Sequence, residues 1–151
     1  MKKYRIQKYS AESYHQWNEF VANAKNATFL FHRDFMEYHS DRFEDYSLLI
    51  FDEEDKLKAI LPANKVGTAL HSHQGLTYGG LVFDQNHNPT ATFEIFDSLI
   101  YFLKNESFTL LNLKIIPVIY NKSNTQEFDY YLIQKGANFI KRDMNLVIDL
   151  R

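Results

Sequence analysis

Apolar and polar positions change period several times along the chain, and each change predicts an element. Residues 4–9 alternate, with Tyr4, Ile6 and Lys8 on one side and Arg5, Gln7 and Tyr9 on the other, which predicts a short first strand. Ser10 is placed to cap a helix and Glu12 to favour its dipole. Tyr14, Trp17, Phe20, Val21 and Ala24 then form a helical stripe, so Trp17 is expected in the core, and Asn26 is the expected stop. A second helix is predicted from near His32 to residue 43, after a short extended piece at 28–31. Phe35, Met36, His39 and Phe43 fall on its apolar face; Arg33, Asp34, Glu37 and Asp41 fall on the other.

Two strands follow, at residues 46–52 and 57–65, joined by a charged turn at 53–56. Pro62 cannot donate to a central ladder and marks an edge or a bulge. Strand pieces at 69–72 and 77–83 flank a glycine-bearing kink. Asn88-Pro89 reads as a cap with proline at the first helical position, and Phe93, Phe96, Leu99, Ile100 and Leu103 follow at helical spacing. Residues 108–116 (FTLLNLKII) are apolar enough for a central strand buried on both faces, ended by Pro117. Ser123–Gln126 and Asn124–Glu127 have capping-box form, ahead of a helix with Phe128, Tyr131, Leu132 and Lys135 that stops at Gly136. Strands at 138–142 and 144–150 are expected to close the chain. The predicted fold class is α/β (α+β): a mixed, mostly antiparallel central sheet with helices on both faces and a kinked strand near the glycines.

The stretch at 70–84, LHSHQGLTYGGLVFD, organises the rest. It holds three of the five glycines and no charged residue before Asp84. Glycine is used where backbone turns with positive φ or approaches another group closely. Gly75, Gly79 and Gly80 therefore predict a kinked or bulged segment. One reading is that the kink only bends a sheet. The other is a splayed strand that exposes backbone N–H groups to a ligand.

Composition narrows the classes. The chain has 151 residues, the size of a single domain. Net charge is −2, from 17 basic and 19 acidic residues, and no basic run is longer than Lys2-Lys3, so a nucleic-acid groove is not expected. The absence of cysteine excludes disulfides, thiolate metal sites and a cysteine nucleophile. No apolar run reaches the ~18 residues needed to span a bilayer, and the N-terminus has no apolar h-region, so the cytoplasm is the expected compartment.

Catalytic signals are sparse. His71 and His73 alternate with Ser72, so a strand would put both imidazoles on one face. They could bind zinc with a third ligand, but hydrogen bonding around the kink is the commoner use, and no metal site is assigned. His39 is either a core residue or a base, since imidazole titrates near neutrality. Asp34, Glu37 and Asp41 suggest a solvated helix face more than a carboxylate site. Exposed tyrosines such as Tyr78 and Tyr120 could stack a ligand. Neither G-x-S-x-G, G-x-x-x-x-G-K-[ST] nor G-x-G-x-x-G occurs.

The order of elements resembles the GCN5-related N-acetyltransferase (GNAT) fold. More closely, FLFHRDFMEYHSDRFEDYSLLIFDEEDKLKAILPANKV followed by SHQGLTYGGLVFD looks like the N-terminal half of FemAB-like acyltransferases. Those proteins join two GNAT-like halves and transfer acyl or aminoacyl groups to amines of cell-wall or surface-sugar precursors. The resemblance implies one GNAT-like domain, 1–151, forming the N-terminal half of a longer protein. It implies a small-molecule amine substrate, with a second acyltransferase half or a homodimer as partner. Gln74, Gly75, Leu76, Thr77, Tyr78, Gly79 and Gly80 would contact substrate, and His39 or His73 would take the amine proton. An acyl-CoA or aminoacyl donor would serve the whole protein. The isolated chain is expected to hold no cofactor, because the GNAT diphosphate signature, Arg/Gln-x-x-Gly-x-Gly/Ala, is replaced by Asp84-Gln85-Asn86-His87-Asn88-Pro89. The alternative is a non-catalytic substrate-binding or dimerisation domain.

Overall fold

The computed structural model describes residues 3–38, 40–122, 127–142 and 148. The elements run β1 (Arg5–Lys8), α1 (Tyr14–Asn23), α2 (Arg33–Glu37), β2 (Glu44–Asp45), β3 (Leu48–Phe51), β4 (Leu57–Leu61), β5 (Asn64–Val66), β6 (Ala69–His71), β7 (Val82–Phe83), α3 (Pro89–Asn105), β8 (Leu110–Asn112) and α4 (Glu127–Gln134). The mixed α/β class is the expected one. All strand pairs are antiparallel except β6 with β8.

The strands form two four-stranded sheets, ordered β1-β3-β4-β7 and β2-β5-β6-β8. One long hairpin runs through both. Its outgoing arm bends at Tyr46-Ser47 between β2 and β3, and its returning arm bends at Pro62-Ala63 between β4 and β5, where proline cannot donate. The arms stay joined across the bend, where the Tyr46 N–H donates to the Ala63 carbonyl at 2.9 Å.

Strand alternation divides the interior into two cores. Leu48, Ile50, Ala59 and Leu61 face Ile95, Phe96 and Leu99 of α3 and Tyr131 of α4. Leu49, Phe51, Ile60 and Val82 face the other way, onto Trp17 and Val21 of α1, Phe31 and Met36. The period of two thus places helices on both faces of the hairpin. Trp17 is fully buried, and its indole N–H donates to the Phe31 carbonyl at 2.7 Å.

Four expectations are corrected. The helix after His32 is only five residues long, and Phe29–Phe31 before it is a 3-10 turn, not extended. Arg33 is not on a solvated face. It is buried, stacked 3.7 Å from the Tyr9 ring centroid, and bonded to Asp45 (2.8 Å), Glu37 (3.2 Å) and Ser47 (3.3 Å). The strand expected at 108–116 shortens to β8, which ends its sheet with Leu110 exposed, because its outer edge has no strand neighbour among the described residues. Residues 138–142 make no strand, and Phe139 and Ile140 there are exposed. The strand expected at 144–150 falls, apart from Ile148, outside the described residues, as do Ser123–Gln126 of the capping boxes and His39.

Candidate functional site

The glycine segment lies between β6 and β7, and its fold is set by polar side chains from distant parts of the chain. Asn64, fully buried at the start of β5, holds Gln74 at both ends: its Oδ1 accepts from the Gln74 N–H at 2.7 Å, and its Nδ2 donates to Gln74 Oε1 at 2.9 Å. The Ser72 hydroxyl accepts from the Lys114 N–H at 2.7 Å, and Lys114 Nζ donates to the Leu76 carbonyl at 2.9 Å. The Gly79 N–H donates to the Lys114 carbonyl at 2.6 Å, and Gly79 makes a parallel bridge with Ile115.

Both glycines of the pair are required by geometry, as expected. A Cβ on Gly79 would lie 2.2 Å from the Ser72 carbonyl oxygen, and Gly80 has φ +89°. Gly75 is packed against Phe43, whose ring would meet an added Cβ at 2.6 Å. His73 does not share a strand face with His71. β6 ends at His71, and His73 turns at φ +55°, buried against the Phe43 ring at 5.5 Å. Tyr78 is likewise not an exposed stacking group. It is buried, its hydroxyl donates to Thr28 Oγ1 at 3.1 Å, and its ring packs on Phe31 and on the half-exposed Tyr120. Gln74 and Thr77 are the exposed members of the predicted substrate set.

Beyond Gly79 a wedge separates residues 81–83 from residues 115–122. One edge of β7 pairs with β4, through Phe83 opposite Ala59 and Val82 opposite Ile60. The other edge is covered from the α1–α2 connection. The Asn26 carboxamide donates to the Leu81 carbonyl at 2.8 Å and accepts from the Phe83 N–H at 2.8 Å. The Lys25 N–H donates to the Phe83 carbonyl at 2.9 Å, while the Lys25 carbonyl accepts from the Lys122 N–H at 3.0 Å. Lys25 Nζ is buried 3.6 Å from Glu127. A cavity of about 40 Å³ remains, lined by Asn26, Gly79, Gly80, Leu81, Ile115 and Ile116 among others.

The turn from β7 into α3 is closed to anions in two ways. Asp84 pairs with Lys58 at 2.5 Å and accepts from the Asn86 N–H at 2.6 Å. Burial pushes its carboxyl up, but Lys58 and the Asn86 N–H outweigh this and hold it below the usual carboxylate range. The Asn88 side chain accepts from the Thr90 N–H at 2.7 Å and the Ala91 N–H at 3.4 Å, so α3 begins with these donors already used. Behind this turn His87 is buried, stacked on Phe83 at 4.2 Å, with Nε2 2.6 Å from Thr92 Oγ1. Burial, with the Lys25 charge nearby, lowers its pKa to about 4.

No known protein family matches the sequence, and no curated protein does. Solved structures do. TTHA1254 from Thermus thermophilus is 12% identical with a TM-score of 0.50, over 97% of this chain and 98% of that one. A tetramutant of the BH1408 protein from Bacillus halodurans is 14% identical with a TM-score of 0.50, over 95% and 99%. The ribosomal-protein-S18-alanine N-acetyltransferase from Escherichia coli is 12% identical with a TM-score of 0.47; the match takes in 72% of this chain and 65% of that enzyme's. The two matches at a TM-score of 0.50 show a shared mixed α/β fold over nearly the whole of each chain. At such identities the likeness extends to architecture and not to chemistry.

Among the described residues no helix is long and apolar enough to cross a membrane, and no cluster of three metal-ligating side chains occurs. Sequence reasoning missed Asn64, Lys114, Lys25 and the true role of Asn26, which the pattern marks only as a helix stop. Single asparagines and lysines carry no periodic signal; only the glycines they pin were visible.

Proposed function

We propose that the chain is an acyltransferase-like domain serving N-acyl or aminoacyl transfer to the amine of a cell-wall or surface-sugar precursor. In this reading it is one half of a FemAB-like protein, working with a second acyltransferase half or a second copy. It presents the amine substrate to the pinned segment Gln74–Gly80, where Gln74 and Thr77 offer a carboxamide and a hydroxyl to solvent. His73, at the root of that segment, is the candidate proton acceptor here; His39 stands as the other. Catalysis would rest on positioning the two reactants.

The observation that carries the reading is the filled wedge. A coenzyme diphosphate needs several free N–H groups at a helix N-terminus. Here Asn88 occupies two of them at α3, and Lys25 and Asn26 occupy the β7 edge. The donor therefore belongs to the other half. Calorimetric titration of the 151-residue chain with acetyl-CoA tests this, and no saturable binding is expected. Low-micromolar affinity would place the donor in this domain. The alternative, a non-catalytic substrate-binding or dimerisation domain, is favoured by the exposed apolar run Val118, Ile119 and Tyr120 beyond β8.

A further inference from the structure

The covering of the β7 edge is more specific than loop packing. On one side of an extended strand, N–H and C=O groups recur at every second residue, and a neighbouring strand meets them with a peptide group of its own. Leu81 and Phe83 present such a pair, and the Asn26 carboxamide meets it with one donor and one acceptor. Lys25 then bridges the wedge with its own backbone. Its N–H bonds to Phe83 on one wall of the wedge, and its carbonyl bonds to Lys122 on the other. Both residues are buried, and both lie more than 50 positions from the β7 residues they cover. Among the described residues the wedge keeps a cavity of about 40 Å³.

We propose that Lys25–Asn26 is an intramolecular seal. It is a two-residue stand-in for a missing strand that keeps the edge of residues 81–83 closed to any extended amide chain from outside. The Lys25–Glu127 ion pair fastens it to α4. The inference does not depend on the acyltransferase reading, since it concerns which groups close the edge and not what the domain does.

Amide hydrogen exchange, resolved by residue, tests it on the full chain. Asn26→Ala removes the acceptor for Phe83, so the Phe83 amide is expected to exchange at least about ten-fold faster. Ile50, in the centre of β3 and away from the Lys25–Asn26 contacts, should change less than Phe83 and so report the global share of the effect. Glu127→Gln keeps the side-chain shape and weakens the ion pair. A few-fold faster exchange at Phe83 and Lys25 is expected there, which keeps the test valid if Asn26→Ala does not fold. Unchanged protection at Phe83 in a folded variant would overturn the seal. Acetyl-CoA titration of Asn26→Ala separates this from the proposed function. If Phe83 loosens and the coenzyme binds the variant but not the wild type, the seal stands and is what keeps the donor out; if the wild type itself binds, the donor assignment fails and the seal is judged on Phe83 alone. If Phe83 loosens and nothing binds, both stand.

Discussion

The β3–β4 hairpin and the segment at 72–83 adjoin in space but are held by different forces. In the hairpin, Leu48, Leu49, Ile50, Ile60 and Leu61 are wholly buried, and alternation alone decides which core each enters. In the segment, regular structure amounts to two residues of β7 and one bridge. Its path is fixed by bonds from Asn26, Asn64, Ser72 and Lys114, which span 10 to 57 positions of sequence. A hydrophobic core tolerates exchange of shape and volume in increments. A segment pinned by single polar groups does not, because each lost partner leaves a buried group unsatisfied.

The largest effect is expected in the first region. Trp17→Ala deletes a wholly buried ring that packs edge-on to Tyr9 at 5.5 Å and strands the Phe31 carbonyl. A loss of about 3–5 kcal/mol is expected in urea denaturation. Trp17 should also emit at short wavelength in the native protein, and a red, easily quenched emission would remove it from the core.

In the second region the sensitive point is backbone. Gly79→Ala forces a Cβ against the Ser72 carbonyl, and about 1–3 kcal/mol is expected, typical of overpacking. Gly80→Ala meets only ordinary contacts, 3.9 Å from Ile115 Cα and the Lys114 carbonyl, but keeps a left-handed φ, which costs an L-residue roughly 1–2 kcal/mol. If both variants melt at or above the wild-type temperature, the segment is not pinned as described and the contrast between the regions fails.

That contrast also explains what the sequence made legible. The hairpin, the stripe carrying Trp17, the break at Pro62, and α3 with its Asn88 cap follow from periodicity and local capping, which act over a few residues. The glycine pair announces special backbone, but not its cause, because the Ser72 carbonyl that excludes a side chain at Gly79 lies seven positions away across a turn. The pattern assigns Arg33 to solvent because charged residues usually are there, whereas a carboxylate, a hydroxyl and an aromatic face converge on it. The shortened β8 shows the converse. An apolar run reads as a central strand, yet its burial depends on neighbours the pattern does not name.

The smallest expected effect concerns the residue where the two regions meet. His87 stacks on Phe83, the last residue of the sealed edge, and bonds through Nε2 to Thr92, which is wholly buried in α3. Its Nδ1 is buried with no partner among the described residues, so a second proton there would have no acceptor. Burial and the Lys25 charge oppose the imidazolium, and Glu127 and Asp84 only partly offset them, which gives a folded pKa of about 4 against 6.5 for the free side chain. Because the native value is the lower one, the unfolded chain takes up a proton first as pH falls. Stability is therefore full above about pH 6.5, declines as pH falls toward about 4, and levels off below that for this group. The drop between about pH 7 and pH 5 is up to about 2 kcal/mol, less where water reaches the ring and screens its charge. Asp84 and Asp97, both held below the usual carboxylate value of 3.8, contribute their own losses only at more acidic pH. Urea denaturation at the two pH values, on the wild type and on His87→Gln, isolates the imidazole. The variant should lose most of the difference. An equal pH dependence in both would mean that His87 is already open to water, and that the junction between β7 and α3 is looser than the edge it adjoins.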